Sequence, residues 1–284
     1  LDGYRNHLAG LADDVGFAEL FTSRTDVAGG AYADLVLELA RGSEITPGLR
    51  IDGFLSDGAA AAGVDPRFQG RFPLSRRVAA VHALGLAHQL PGFVAPGPAL
   101  QIGGLRGGLQ RSVQASSGLE LRLPEDWLAS ITAFDAVFLH LSDPLGTQAA
   151  NTSGPGELDA RALGSAVGLE VLVRRELTRR LGGYLAYTIS RSERYRGREE
   201  YRSQYDRPHV VNGAISCDLG RGFRVGARGV AYSGIPFYVD GQPLVFERRL
   251  PAFYRLDWRA EKRWRVGARG RLSLVLEVQN TTLQ

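Results

Sequence analysis

Apolar and polar residues alternate along much of the chain, most clearly in the stretch FYRLDWRAEKRWRV at residues 253–266. Charged residues occupy one parity of this stretch: Arg255, Asp257, Arg259, Glu261, Arg263 and Arg265. Mainly aromatic and aliphatic residues occupy the other parity: Tyr254, Leu256, Trp258, Ala260, Trp264 and Val266. Because a strand sends successive side chains to opposite faces, the pattern predicts a strand with one ionic and one apolar face. Only Lys262 breaks the alternation.

The same alternation predicts further two-faced strands elsewhere in the chain. The apolar faces hold these sets: Leu35, Leu37 and Leu39; Leu49 and Ile51; Val167, Leu169, Val171 and Val173; Val211, Ile215, Cys217 and Leu219; Phe223, Val225 and Ala227; Leu272, Leu274, Leu276 and Val278. Residues 77–90 and 127–142 alternate less cleanly, and there the length and the flanking turns indicate strands.

The predicted connections alternate between short and long. Short connections are expected at residues 41–44, 73–76, 124–126, 178–180 and 220–222 and around Gly267. Long connections are expected at residues 56–63, 91–107, 143–161, 192–208 and 233–249. Outer-membrane barrels have short periplasmic turns and longer extracellular loops. The chain is therefore predicted to be all-β, an antiparallel transmembrane β-barrel that is partial, with about twelve to fourteen strands.

The two faces of such strands are assigned by the cost of exposing charge to hydrocarbon, which is about 2–4 kcal/mol for an arginine at the bilayer midplane. The apolar faces should point to lipid and the ionic faces to the lumen. The predicted lumen-facing charges are Arg224, Arg228, Arg255, Asp257, Arg259, Glu261 and Arg263. These charges could tune solute entry or hold a plug. The favoured alternative is that they satisfy one another across strands. Interfacial aromatic residues are expected near strand ends or on outward parity at Trp127, Tyr184, Tyr254, Trp258 and Trp264.

Composition narrows the function classes further. Lysine and arginine number 34 against 30 aspartate and glutamate residues, with no long block of like charge, which argues against nucleic-acid binding. The single cysteine, Cys217, excludes an internal disulfide framework. No run of about 18 apolar residues occurs, so no membrane-spanning helix is expected. The chain begins without methionine or a leader, which is typical of a mature or excerpted chain.

Catalytic and metal motifs are not evident in the sequence. The segment LGSAVG around Ser165 does not have the G-x-S-x-G spacing of a nucleophile elbow. No histidine belongs to an H-E-x-x-H arrangement, and His82 and His88, on one strand face, are better explained as lumen or interface residues with hydrogen-bond partners than as metal ligands. We therefore expect a non-enzymatic protein without a cofactor, a catalytic site or a metal site.

Several phrases resemble the TonB-dependent outer-membrane receptors, in particular divergent ones from gliding soil bacteria, and match the C-terminal part of their β-barrel. The phrases are GLRIDGF at 48–54, VDPRFQGRFPLSRRVAAVHALGLAHQLPGF at 64–93, GLELRLPEDWLASITAFDAVFLHLSD at 118–143, AVGLEVLVRRELTRRLGGYLAYTISRSE at 166–193, YDRPHVVNGAISCDLGRGFRVGARGVAYSGIPF at 205–237, and RLPAFYRLDWRAEKRW and LVLEVQN within 249–280. In that family such phrases are successive barrel strands.

The resemblance implies a receptor for nutrient uptake, with outer-membrane lipid, a plug domain and a TonB-type energy-coupling protein as partners. Such receptors have about twenty-two strands. Residues 1–284 are thus expected to be one incomplete barrel domain, without the plug, the early strands and the closing strand. The alternative is a barrel without transport of its own, acting as a structural anchor or a subunit of a larger surface complex, or a passive porin.

Ligand contacts are expected in the long outer loops, since loops carry most binding residues. The aromatic candidates there are Tyr195, Tyr201, Tyr205, Phe237 and Tyr238. The sequence does not identify the ligand.

Overall fold

A computed structural model describes residues 2–6, 24–56, 58–90, 105, 108–141, 162–176, 180–196, 199–237, 248–267 and 270–282. Within these residues, fifteen strands form one antiparallel sheet. The strands are β1 Asp2–Asn6, β2 Arg24–Asp34, β3 Leu37–Glu38, β4 Glu44–Ser56, β5 Ala59–Pro73, β6 Val78–Gln89, β7 Gln110–Arg122, β8 Trp127–Leu141, β9 Ala162–Arg175, β10 Leu181–Arg196, β11 Glu199–Arg202, β12 His209–Gly220, β13 Phe223–Tyr232, β14 Phe253–Val266 and β15 Gly270–Val278.

The sheet is a meander in which strands that follow one another in sequence also pair with one another. Thirteen strands follow this path, while the short strands β3 and β11 pair beside it with β4 and β10. Among the described residues, β1 pairs with β2 alone and β15 with β14 alone, so the sheet is not closed. The prediction of a partial antiparallel barrel with about this number of strands is confirmed.

Two predicted long connections were wrong in extent. The connection predicted at residues 56–63 is a tight turn, because β4 ends at Ser56 and β5 begins at its register partner Ala59. Gly58 lies in this turn with a φ of 76°, a left-handed conformation that glycine adopts without strain. The run of alanines after it, which lacks alternation, is the start of β5. Part of the connection at 192–208 is also sheet, since β10 continues to Arg196 and β11 pairs back onto it.

The register of the strands separates an apolar face from a charged face across the sheet. Val171 lies beside Ile131 and Tyr187, and Leu272 lies beside Trp264, so apolar residues form continuous rows. The side chain of Leu276 is 66% exposed, and those of Leu272 and Leu274 are also exposed. The apolar rows of β15 therefore do not pack against a second layer of the described chain. Among the described residues, no helix is long and apolar enough to cross a membrane.

Lys262, which breaks the alternation of β14, lies on the apolar face. Its Nζ donates a hydrogen bond to the carbonyl oxygen of Arg221 at 2.7 Å and lies 3.7 Å from the ring centroid of Phe223. The aliphatic part of a lysine can cover apolar surface while its ammonium reaches polar groups at the strand end. Tyr184 lies near the start of β10, as expected for an interfacial residue, but its register with Arg174 places it on the charged face.

Candidate functional site

The seven predicted lumen-facing residues lie on one face of β13 and β14, and they are called the inner wall below. The register places Arg224 opposite Glu261 and Arg228 opposite Asp257, with Arg259 opposite a glycine. Because residues in register share a face, the even positions of β13 and the odd positions of β14 form one charged surface. A cavity of about 480 Å³ lies along it, lined by all seven residues and by Glu277 and Gln279 of the β15 segment.

Most charges of the inner wall are paired. Arg255 donates to Asp257 at 2.8 Å, and Arg263 donates to Glu261 at 2.5 Å. Longer ion pairs complete the wall: Arg224 with Asp218 at 3.6 Å and Arg259 with Glu277 at 3.7 Å. Asp257 also accepts a hydrogen bond from the backbone nitrogen of Asn280 at 2.8 Å. The two shorter pairs lie within β14, and the two longer ones join neighbouring strands. With Asp218 and Glu277 included, the five arginines of the wall lie among four carboxylates, so the surface is polar and most of its charge is balanced.

A second charged group, which the sequence did not single out as a site, lies on the same face of β2, β4 and β5. Asp34 accepts two hydrogen bonds from Arg67, at 2.8 Å from Nε and 2.5 Å from Nη2. Arg50 binds Asp52 in the same bidentate way, at 2.6 and 2.7 Å. The guanidinium of Arg67 also lies 5.3 Å from the ring centroid of Tyr32. Charged pairs therefore lie on this face near both ends of the sheet, on β2, β4 and β5 and on β12 to β15.

The pair between Asp34 and Arg67 spans two strands, because β4 lies between β2 and β5. Gly48 of β4 is the residue opposite both side chains. A Cβ at this position would overlap the carboxylate of Asp34 and lie 2.9 Å from the Cγ of Arg67. The missing side chain of Gly48 therefore opens the space in which the two charges meet. The sequence shows this glycine but not the cross-strand contact that requires it.

Four of the five aromatic candidates lie near the long connections, at the end of the sheet that is called the rim below. Tyr205 is 56% exposed and Phe237 is 36% exposed, so both are available for contact. Tyr195 lies in β10 with its hydroxyl 3.2 Å from Glu193, to which it donates. Tyr201 of β11 is buried and therefore has a packing role. Tyr238 lies outside the described residues.

A buried polar group, called the rim cluster below, joins the connection after β11 to the one after β13. Asp206 is 1% exposed and its carboxylate accepts a hydrogen bond from the backbone nitrogen of Ser192 at 2.7 Å. Arg249 forms an ion pair with the same carboxylate and donates to the backbone carbonyl oxygens of Asp206 at 2.8 Å and Gly234 at 3.2 Å. Ser203, fully buried, accepts at its carbonyl oxygen from the backbone nitrogen of Asp206. The cluster fixes the backbone on which Tyr205 and Phe237 stand.

The histidines of β6 both have hydrogen-bond partners. His88 Nδ1 lies 2.5 Å from Asp65 Oδ1, and His82 Nδ1 lies 3.0 Å from the hydroxyl of Ser117. No three of the described histidine, cysteine, aspartate and glutamate side chains lie close enough together to hold a metal ion.

The architecture matches several solved outer-membrane proteins. The FrpB iron transporter from Neisseria meningitidis is 14% identical with a TM-score of 0.59, over 91% of this chain and 41% of FrpB. A mutant of the ferric enterobactin receptor PfeA from Pseudomonas aeruginosa is 16% identical with a TM-score of 0.61, over 92% and 40%. The copper transporter OprC is 14% identical with a TM-score of 0.60, over 93% and 44%.

These structures are all TonB-dependent receptors. The fold is that of a TonB-dependent receptor barrel. No protein-family model and no curated protein sequence matches the chain. The chain spans about two fifths of the length of the receptors it matches. The matched receptors are integral outer-membrane proteins, and the sheet of this chain carries exposed apolar rows of the kind that such barrels turn to hydrocarbon.

Proposed function

We propose that the chain is the barrel portion of a TonB-dependent receptor that imports a nutrient across the outer membrane. The observation that carries this proposal is the match of nearly the whole sheet to solved receptors and transporters, which are named for iron, ferric enterobactin and copper. The neighbours are receptors or transporters rather than enzymes, so no catalytic role is proposed for the chain.

The described residues support a division of roles along the barrel. Exposed Tyr205 and Phe237 stand on the rigid backbone of the rim cluster, which suits the first capture of a ligand from outside. The inner wall carries paired charges. We infer that it faces the lumen, where such a surface suits contact with a polar plug or with a hydrated solute. A plug domain and a TonB-type protein that supplies energy are the partners proposed for the intact protein.

Uptake by the intact protein tests this proposal. The protein is expressed in a Gram-negative host without its own catecholate receptors, and uptake of radiolabelled ferric enterobactin and of copper(II) is measured separately. We expect uptake of a probe to require both this protein and the energy-coupling protein of the host. Uptake that continues after removal of the energy-coupling protein would indicate a passive pore, and no uptake of either probe would contradict import of the ligand classes named for the neighbours.

A further inference from the structure

Three polar side chains interrupt the apolar face near the middle of β6, β7 and β8. The register places His82 of β6 opposite Ser117 of β7, and Asp135 of β8 opposite Ala115 of β7. All three polar side chains are exposed. Asp135 lies in an apolar row, because its register partner on β9 is Val167. The less regular alternation of these segments in the sequence therefore reflects polar residues on the outward face.

The apolar neighbours along each strand indicate how deep these three residues lie within the apolar belt of the sheet. The residues of the same face on the side of the short turns are Val78 and Ala80 of β6, Leu119 and Leu121 of β7, and Ile131 and Ala133 of β8. On the side of the long connections they are Leu84 and Leu86 of β6, Val113 of β7, and Val137 of β8. The three polar residues thus lie within the apolar belt and not at its borders, where Arg111 and Trp127 lie.

The hydrogen bonds of the group leave one donor and one acceptor without a partner among the described residues. When the hydroxyl of Ser117 donates to His82 Nδ1, the tautomer of His82 carries its hydrogen on Nε2, which then has no acceptor in the described part of the chain. Within the described part of the chain, the carboxylate of Asp135 has no hydrogen bond and no ion pair. Ionisable groups inside a membrane are costly, and they almost always pair with one another or face a protein interior or a water-filled cavity. A partner for these two groups is therefore expected.

We propose that this surface, defined by His82, Ser117, Ala115, Ala133 and Asp135, is an interface at which two copies of the protein associate side by side in the membrane. The surface is complementary to a second copy of itself, because His82 on β6 supplies a donor and Asp135 on β8 supplies an acceptor, with β7 between them. A two-fold axis along the membrane normal in front of β7 brings His82 of each copy toward Asp135 of the other. The small side chains of Ala115 and Ala133 allow close approach.

Cysteine cross-linking in native outer membranes tests the proposal, which rests on membrane placement and not on transport. The test variant of the intact protein is Ser117→Cys in a Cys217→Ser background. The control is Ala227→Cys, which also lies on the apolar face but on β13. Under mild oxidation, we expect Ser117→Cys to yield a covalent dimer of twice the mass and Ala227→Cys to remain monomeric. Absence of the dimer, equal yields for both variants, or cross-linking to a different protein would each overturn the proposal.

Removal of the polar pair gives the second arm of the test. Asp135→Leu in the Ser117→Cys background removes a carboxylate from the lipid-facing surface, so the barrel should fold at least as well. We expect its cross-linked fraction to fall about tenfold, as expected for a loss of about 1.4 kcal/mol of association energy. His82→Leu should have the same effect. Heat-dependent gel mobility checks folding of each variant, and an unchanged dimer yield in folded Asp135→Leu would refute the role of the pair. Nutrient uptake should be retained in both variants, which separates this test from that of the proposed function.

Discussion

Arg249 donates a hydrogen bond to the backbone carbonyl oxygen of Asp206 at 2.8 Å and forms an ion pair with the carboxylate of the same residue. The two residues belong to different connections of the rim. Asp206 is almost completely buried, so the carboxylate of the pair is shielded from solvent, while the guanidinium of Arg249 remains partly exposed.

The first prediction concerns removal of this buried charge. Asp206→Ala leaves Arg249 without its carboxylate and the backbone nitrogen of Ser192 without its acceptor. Breaking a buried pair typically costs about 3–5 kcal/mol, and we expect a loss of unfolding free energy at the lower end because Arg249 is partly exposed. Denaturant titration of the purified protein in detergent measures the change.

Glu200→Gln is the matched control for Asp206→Ala, because Glu200 also forms an arginine pair at the rim, with Arg191 at 3.2 Å. Both side chains of that pair are more than half exposed, and exposed pairs contribute at most about 1 kcal/mol. Equal destabilisation by the two substitutions would show that burial of Asp206 has no special effect.

The second prediction concerns Gly48. Gly48→Ala places a methyl group where the carboxylate of Asp34 and the side chain of Arg67 now meet, so one of them must move. Overpacking of this kind costs about 1–3 kcal/mol. Gly53→Ala on the same strand is the control, since its Cβ would find its nearest atom, the carbonyl oxygen of Gly29, at 3.9 Å. Measured unfolding free energies should drop for Gly48→Ala only, and similar values for both would contradict the close-packed pair.

The third prediction distinguishes the two faces of β12. Ile215 lies on the apolar face and Ser216 on the charged face, one residue apart. Ile215→Arg should destabilise the folded barrel in lipid vesicles by about 2–4 kcal/mol, measured as a smaller free energy of unfolding. Ser216→Arg should change this free energy by much less. Folding is followed by gel mobility without heating. The assignment of the faces fails if Ser216→Arg is the more damaging substitution.

The fourth prediction separates contact from packing among the rim tyrosines. Tyr205→Ala should weaken binding of the ferric enterobactin probe without loss of stability, because the side chain is mainly exposed. Tyr201→Ala should instead destabilise the protein by about 3–5 kcal/mol, because the ring is buried. Probe binding to whole cells and denaturant titration give the two readouts. Unchanged binding by a folded Tyr205→Ala variant would remove Tyr205 from the candidate site.

The strand order and the division of faces could be predicted because the alternation is directly readable in β9, β12, β13, β14 and β15. A residue such as Leu256 or Leu272 has few alternatives when its neighbours on both sides are polar and a strand has a period of two. The alanines after Gly58 predict a loop because alanine carries no clear preference for either face. In that segment, pairing with β4 decides the structure.

The polar contacts between distant parts of the chain could not be predicted. The ion pair of Asp34 with Arg67 depends on strand register, and that of Asp206 with Arg249 depends on the paths of two connections. Neither property leaves a periodic signal in the sequence. Asp135 was likewise visible only as an irregularity within 127–142, and its place on the apolar face becomes evident from its register with Ala115 and Val167.

The buried contact at the rim also has a mechanical consequence. Since Asp206 is bound through its carboxylate to Ser192 and through Arg249 to Gly234, displacement of one connection must pull on the other. A molecule that presses on Phe237 would therefore shift Tyr205 as well. The two connections that carry Tyr205 and Phe237 would therefore move together, and not independently, when a molecule arrives at the rim.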